Sequence, residues 1–407
     1  MSKWEWKKLG DLYPIVMGKT PPRGDPSCWD KSKRTNNVWV TIADISSNEN
    51  QVITESKEYI SDKATKNISL VSPKSLLLSF KLSIGKMAFA GVPLYTNEAI
   101  VNFPPIKDID LHYLHKYFLY YNWDKASEGD TKVKGKTLNK EKLKNIDIPI
   151  PPISEQKRIV KFLDEEFSKI DTLKTNAETN LKNAKELFET TLEKELNPLS
   201  RHSERSEESS AELPSGWEWK TLGDVCEILS DLINPTEEKY LNMYHVGGAN
   251  IESETGRIID LKTSEEEGLT SGKFVFDDSV VLYNKIRPYL KKVARPNFAG
   301  ICSADMYPLS PKNGMLKDFL YYILIASDFT DYAIKHSDRA GMPKLNRKAL
   351  FVYEFPLPPL SVQKEIVARL DKLSENVKRL EVNYKQIIAD CDDLKKSILK
   401  KTFERES

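Results

Sequence analysis

The chain has 407 residues, 40% hydrophobic and 30% charged, with 17 glycines and 22 prolines; this excludes collagen, wholesale disorder and a membrane bundle, and about 150 residues per domain leaves room for two or three cores. The net charge of +1 hides a distribution of +6 over residues 1–150, −4 over 151–213, −3 over 214–358 and +2 over 359–407, so any nucleic-acid footprint must be local. Cys28, Cys226, Cys302 and Cys391 form no Cys-x-x-Cys pair, and the most apolar run, Phe319 to Ala326, is far too short to span a bilayer; the expectation is a cytoplasmic protein with no membrane partner.

Taken in order, the chain opens on Trp4-Glu5-Trp6-Lys7-Lys8-Leu9-Gly10-Asp11, and this octapeptide returns as Trp217-Glu218-Trp219-Lys220-Thr221-Leu222-Gly223-Asp224. Such a recurrence marks a duplicated architecture. After the first opening, VWVTIADI (38–45), SLLLSF (75–80) and KMAFAGV (86–92) read as strands and LHYLHKYFLYYNW (111–123) as a helix. A proline-rich strap, IPIPPISEQKRIV (148–160), then leads into a long polar-apolar run, with Ser154 placed to cap the helix that follows.

That helix carries a seam through Ile159, Leu163, Glu166, Ile170, Leu173, Ala177, Asn180, Ala184, Leu187 and Thr191. Residues 198–213 form a polar linker rich in Ser, Glu and Arg, with no apolar period. After the second opening, FVFDDSVVLYN (274–284) and KKVARPN (291–297) read as strands and LKDFLYYILIASDF (316–329) as a helix. The strap recurs as FPLPPLSVQKEIV (355–367), with Ser361 as its cap. Beyond it Ile366, Leu370, Leu373, Val377, Leu380, Tyr384, Ile387, Cys391, Leu394 and Ile398 alternate spacings of four and three over about five heptads. About 40 residues at 1.5 Å each make a rod near 60 Å, longer than a compact domain covers, so pairing of the two rods is the economical solution. Glu166 and Asn180 either set the register of that pairing or mark where the seam opens to a partner. The divisions are therefore 1–150, a first globular domain; 151–197, a first helix; 198–213, the linker; 214–358, a second globular domain; and 359–407, a second helix.

No reaction centre emerges. There is no phosphate loop, the Gly-Gly of VGGANIES (246–253) lacks dinucleotide spacing, and no Pro-Pro pair follows Asn or Asp as amino-methyltransferases require. His112 and His115 stand three apart on an apolar helix with no third ligand in view, which suits packing better than a metal. Asp277-Asp278 adjoins strand runs and reads as a turn. No catalytic residue and no metal ligand is assigned.

Positive charge does cluster, twice in each copy. Between Asp62 and Glu98 there is no acid, while Lys81 and Lys86 lie in that window, and a second run follows with Lys132, Lys134, Lys136 and Asn139. The second copy has Lys285, Arg287, Lys291, Lys292 and Arg295 in an acid-free stretch, then Arg339, Lys344 and Asn346. A charge run is commonly only a solvated face, but one that recurs at matching depth beside Phe80, Tyr289 and Asn284 fits a duplicated reader of two DNA half-sites. The alternatives are a coiled-coil protein-assembly adaptor whose globular domains bind peptides, and an enzyme such as a nuclease with an unrecognised centre.

At these landmarks the chain resembles the specificity subunit of type I restriction-modification enzymes. The residues that carry the resemblance are the two Trp-x-x-x-x-Leu-Gly-Asp openings from Trp4 and Trp217, GKTPPRGDPSCWD (18–30), SFKLSIGKMAF (79–89) with YNKIRPYLKKV (283–293), and the two straps. The resemblance spans nearly the whole chain apart from the linker. It implies an α+β fold: two tandem mixed α/β target-recognition domains separated by two long helices that pair as an antiparallel coiled coil. It further implies that each domain reads half of a bipartite site in double-stranded DNA while the helices set the gap. The partners it implies are two modification (methyltransferase) subunits and restriction (translocase/nuclease) subunits, which would carry S-adenosylmethionine, ATP and magnesium; this chain would hold no cofactor. Thr20, Arg23, Lys81, Lys86, Lys136 and Asn139 in the first domain, and Lys285, Arg287, Lys291, Lys292, Lys344 and Asn346 in the second, fall in the family's recurrent polar stretches. One departure is Val362, which stands where the first strap has Glu155 and removes a helix-start carboxylate.

Overall fold

The computed structural model describes residues 4–126, 131–132, 135–136, 138–201, 212–338 and 341–404. Most of the polar linker therefore lies outside the described residues. The chain divides into two compact units, Met1–Asn176 with Gln386–Ser407, and Ala177–Lys385. Each unit contains one globular block and a stretch of each of two long helices, Ile153–Leu196 and Leu360–Glu404.

The duplicated octapeptide becomes the same clasp in both units. In the first, Glu5–Lys8 pairs antiparallel with Asp147–Ile150, placing Trp6 opposite Pro149; in the second, Glu218–Thr221 pairs with Glu354–Leu357, placing Trp219 opposite Pro356. Proline is tolerated in these two-stranded sheets because each strand leaves one edge unpaired. The opening of each copy is thus stitched to the strap that ends it, which closes the globular block at the point where its long helix departs.

Within the first unit, a four-stranded sheet runs in the order Val52–Ile53, Met87–Ala90, Leu76–Ser79 and Ile100–Phe103, beside a three-stranded sheet of Glu58–Tyr59, Val38–Val40 and Leu94–Thr96. The run 38–45 is strand only over Val38–Val40: Thr41 and Asp44 form a reciprocal cap that starts a helix at Ile42–Ser47. In the second unit, Val281–Asn284 sits between Met306–Pro311 and Val293–Ala294 in a four-stranded sheet, and a five-stranded sheet is centred on Gly300–Ser303. The run 274–284 holds two strands, parted by a turn in which Asp277 accepts from the Ser279 amide at 2.9 Å. The expected helix at 316–329 breaks at Ala326 into Lys317–Ile325 and Ser327–Lys335.

The long helices begin ahead of both serines, at Ile153 and Leu360, so Ser154 and Ser361 lie inside the first turn and are not the caps. The residues that tie the helix starts down are Gln156 and Gln363, both fully buried. The Gln156 amide nitrogen donates to the carbonyls of Asp108 (3.0 Å) and Pro151 (2.9 Å), and its oxygen accepts from the Asp110 amide (2.8 Å). Gln363 repeats every bond, to Gly314 (2.9 Å), Pro358 (2.9 Å) and the Leu316 amide (2.9 Å). The signal for them was present, since Ser-x-Gln-Lys is shared by both straps.

The helices pair antiparallel inside each unit. In the first, Lys174 meets Asp392 at 2.8 Å while Lys395 meets Asp171 at 2.5 Å; in the second, Lys185 meets Glu381 at 3.2 Å and Arg369 meets Glu195 at 2.6 Å. Half of the expected seam is buried: Ile159, Leu163, Ile170, Ile366, Leu370 and Val377, with Ala177, Ala184 and Cys391. The other half is displaced by one residue. Leu173, Leu380, Ile387 and Leu394 are exposed, as is Leu187, whereas Leu373 and the residues one place on (Phe167, Lys174, Leu181 and Phe188; Ser374, Glu381, Ile388 and Lys395) are half-buried. In the shifted row Lys174, Glu381 and Lys395 meet partners across the helices, and Lys395 lies 5.3 Å over the Phe167 ring, its aliphatic stem covering apolar surface. Glu166 binds Lys169 on its own helix at 2.7 Å and Asn180 is exposed, so neither sets register.

The first unit closes over the end of the second long helix. Leu399 and Phe403 enter the core that holds Trp4, Leu163 and Tyr113, and the Phe403 ring meets those of Tyr117 and Tyr120 at 5.4 and 5.5 Å. On the same helix as Tyr113, the His115 ring packs on Phe89, and its Nε2 meets Asn50 Oδ1 at 2.7 Å. Burial pushes the His115 pKa down to about 3, with Lys116 and His112 acting the same way and Asp164 opposing. A histidine held neutral in the fold but protonated near pH 6.5 when unfolded stabilises the protein fully above pH 6.5, and that contribution is lost as pH falls toward 3. Wild-type stability should therefore fall on acidification by up to about 1.4 kcal/mol per pH unit from this group. His115→Gln should flatten the profile between pH 6 and 4, as read by thermal midpoints; an unchanged slope would exclude His115 as its source.

Candidate nucleic-acid interface

In the first unit the strand Leu76–Ser79 runs into a loop of residues 80–86 and returns as Met87–Ala90. The amide of Leu138, next to Asn139, donates to the Phe80 carbonyl at 3.0 Å and ties that segment to the loop. The second unit repeats the construction. The strand Val281–Asn284 runs into residues 285–292 and returns as Val293–Ala294, and the Leu345 amide donates to the Lys285 carbonyl, again at 3.0 Å. Segments about 60 residues apart in sequence are thus joined by one matched backbone bond in each copy.

Three of the first unit's expected residues converge on Glu98, at the turn before Ile100–Phe103. The Thr20 hydroxyl donates to its carboxylate and holds its pKa below the usual range, with Lys81 and Arg23 near enough to add to the effect. The Arg23 guanidinium lies 4.2 Å over Trp29 and 4.8 Å over Trp39 and grips Glu58 with two bonds. Glu58 and Glu98 were not anticipated, because acids on a basic face carry no signal of their own. Lys86 stands apart, ion-paired with Glu49. Lys132 and Lys136 lie on the paired strands Thr131–Lys132 and Gly135–Lys136, while Lys134 is outside the described residues. Asn139 caps the helix Lys140–Lys144, accepting from the Lys142 amide at 2.8 Å.

In the second unit much of the expected charge is turned inward. Lys285 is buried, its ammonium donating to the Ala304 carbonyl at 2.5 Å and lying 4.9 Å from the Tyr307 ring. Burial pushes its pKa down, Lys344 and Arg347 push the same way, and Asp305 opposes. Lys292 donates to the Gly248 carbonyl at 2.5 Å, and Lys291 reaches Glu189 and the Ser327 hydroxyl, each at 3.5 Å. Arg295 bridges Asp318 (3.0 Å) and Asp371 (2.9 Å) while stacked over Tyr321. Asn346 caps Arg347–Phe351 and accepts from the Ala349 amide at 2.9 Å. Arg287 is exposed, and Lys344 lies half-buried on the strand beside it; Arg339 is outside the described residues.

The sequence profile of the type I restriction modification DNA specificity domain matches this chain twice, over residues 1–183 and 214–388. The chain belongs to that family. Each match begins at or just before one of the two clasps and runs through a strap into the helix behind it, so the specificity domain and the structural repeat are the same unit. Among relatives, this specificity-domain chain is 31% identical to the type I restriction enzyme EcoDI specificity subunit of Escherichia coli over 288 residues, 66% of this chain and 64% of that one. It is 30% identical to the MjaIX specificity subunit of Methanocaldococcus jannaschii over 246 residues, 58% of this chain and 55% of that one. The chain thus matches under two thirds of the length of either relative. Two solved structures share the fold at low identity. A chain from a study of complex assembly and conformational transition of the type I R-M system superposes with a TM-score of 0.76 at 19% identity, covering 100% of this chain and 99% of that one. The HsdS subunit from Thermoanaerobacter tengcongensis gives 0.59 at 18%, covering 100% and 98%.

Proposed function

We propose that this chain is the sequence-reading, non-catalytic subunit of a type I restriction-modification complex, each globular block reading one half of a bipartite site in double-stranded DNA. The observation that carries the reading is the matched backbone bond, Leu138 to Phe80 and Leu345 to Lys285, which in both copies ties a hairpin loop to the segment of Asn139 in one and of Lys344 and Asn346 in the other. Phosphate contacts from such a face supply affinity and loop side chains supply sequence choice. The two long helices set the gap between half-sites. Their exposed apolar residues Leu173, Leu187, Leu380, Ile387 and Leu394 suit the docking of modification subunits, which bring S-adenosylmethionine; restriction subunits bring ATP and magnesium.

The test is co-purification with a methyltransferase subunit from the same genome, followed by mapping of methylated adenines with and without this chain. A split motif that arises only when the chain is present is the expected result. Absence of both a complex and chain-dependent methylation would remove the reading.

A further inference from the structure

The two hairpin loops share a backbone device that their side chains do not explain. Two residues past Phe80 stands Leu82, with φ of +65°; two residues past Lys285 stands Arg287, with φ of +52°. The carbonyls of Phe80 and Lys285 accept the matched bonds from Leu138 and Leu345, so Leu82 and Arg287 occupy the same place in the two copies. Neither is glycine or asparagine, and a bulky residue in the left-handed region is an outlier that its surroundings must hold. A second positive φ follows in each loop, at Gly85 (+88°) and Lys291 (+45°).

The loops are held firmly. The Ser83 amide donates to the Lys81 carbonyl at 2.8 Å, a three-residue turn centred on Leu82 of the kind that is rare when the central φ is positive. The Arg287 amide donates to the Pro343 carbonyl at 2.8 Å, its carbonyl accepts from Leu290 at 3.0 Å, and Ile286 bridges Lys344. The side chains, in contrast, are free to meet a ligand. Leu82 is 57% exposed. Arg287 is exposed, and among the described residues no hydrogen bond or ion pair engages its guanidinium, while Lys285, Lys291 and Lys292 around it are all committed within the protein. Strain retained at the same loop position in two copies, under an exposed side chain of different chemistry in each, is how a scaffold aims a residue that discriminates.

We infer that this left-handed loop residue is the base-reading position of each unit, Arg287 addressing a guanine in one half-site and Leu82 a thymine methyl in the other. The inference rests on the DNA-reading function proposed above. A guanidinium matches the O6 and N7 acceptors of guanine in the major groove, and an apolar side chain discriminates there only through the thymine methyl.

The experiment is selection of randomised DNA duplexes by the full-length chain at several salt concentrations, for wild type, R287Q, R287G and L82R. Wild type should show salt-dependent retention with a guanine preference at one position and a thymine preference at another. Each preference should amount to about 5- to 150-fold. R287Q should move the first preference to adenine, because a side-chain amide pairs with adenine N6 and N7, and L82R should replace thymine with guanine in the other half-site. R287G should abolish the guanine preference while its thermal midpoint equals or exceeds that of wild type, since glycine carries no left-handed penalty. A less stable R287G would make Arg287 structural and overturn the inference. Preferences left unchanged by both R287Q and L82R would overturn it too, with the DNA-reading function intact. A wild-type chain that retains no duplex at any salt would overturn both.

Discussion

Removing one heptad from each long helix, in facing segments, is expected to shorten the gap of the recognised site by about three base pairs while both half-sites stay the same. Seven residues at 1.5 Å each are about 10 Å of helix, and base pairs stack at about 3.4 Å. A whole heptad preserves which face is buried, so the row through Leu163, Ile170 and Ala177 and the row through Leu370, Val377 and Cys391 continue in phase. Removal from one helix alone should instead mismatch the cross-helix pairs Lys174–Asp392 and Lys185–Glu381 and yield insoluble protein. Mapping of methylated adenines reads the gap directly. An unchanged gap in the matched deletion would end the spacer role.

Gln363→Ala is expected to destabilise the second unit by about 3–5 kcal/mol. The side chain is fully buried and makes three hydrogen bonds, so its loss strands the Leu316 amide and the carbonyls of Gly314 and Pro358 in a cavity, each unsatisfied group costing about 1–3 kcal/mol. Gln363→Glu should be nearly as severe, because the carboxylate retains the acceptor for Leu316 but loses both donors. Gln156→Ala should act likewise on the first unit through Asp108, Asp110 and Pro151. The midpoint of urea unfolding, followed by hydrogen exchange at amides of each unit, measures both. A loss below about 1 kcal/mol would mean that the strap is held by its clasp strand alone.

These glutamines show where sequence reasoning reached and where it stopped. The straps are legible because proline and a following heptad period are local chemistry, yet local chemistry points to Ser154 and Ser361 as the caps. The true anchor depends on a carbonyl more than 45 residues away, at Asp108 or Gly314. The seam shows the same boundary. From a buried helical residue the positions three and four ahead lie about 60° to one side and 40° to the other, so both are candidates for one face. Leu380, Ile387 and Leu394 make that row the better apolar pattern, but Glu381, Ile388 and Lys395, one place on, are the half-buried residues, and Lys174, Glu381 and Lys395 meet partners across the pair.

Repetition, the two straps, the existence and length of both helices and the recurrence of basic runs at matching depth were determined by the sequence itself, because each rests on residue type at fixed spacing. Which charges face outward was decided only in three dimensions. Lys285 and Lys292 are as basic in the sequence as Arg287, but their ammonium groups come within hydrogen-bond reach of the Ala304 and Gly248 carbonyls, and no spacing rule foretells that approach. The left-handed turns at Leu82 and Arg287 lack the glycine or asparagine that would announce them. They exist because the matched bonds from Leu138 and Leu345, formed between segments about 60 residues apart, hold each loop in a conformation its own residues would not choose.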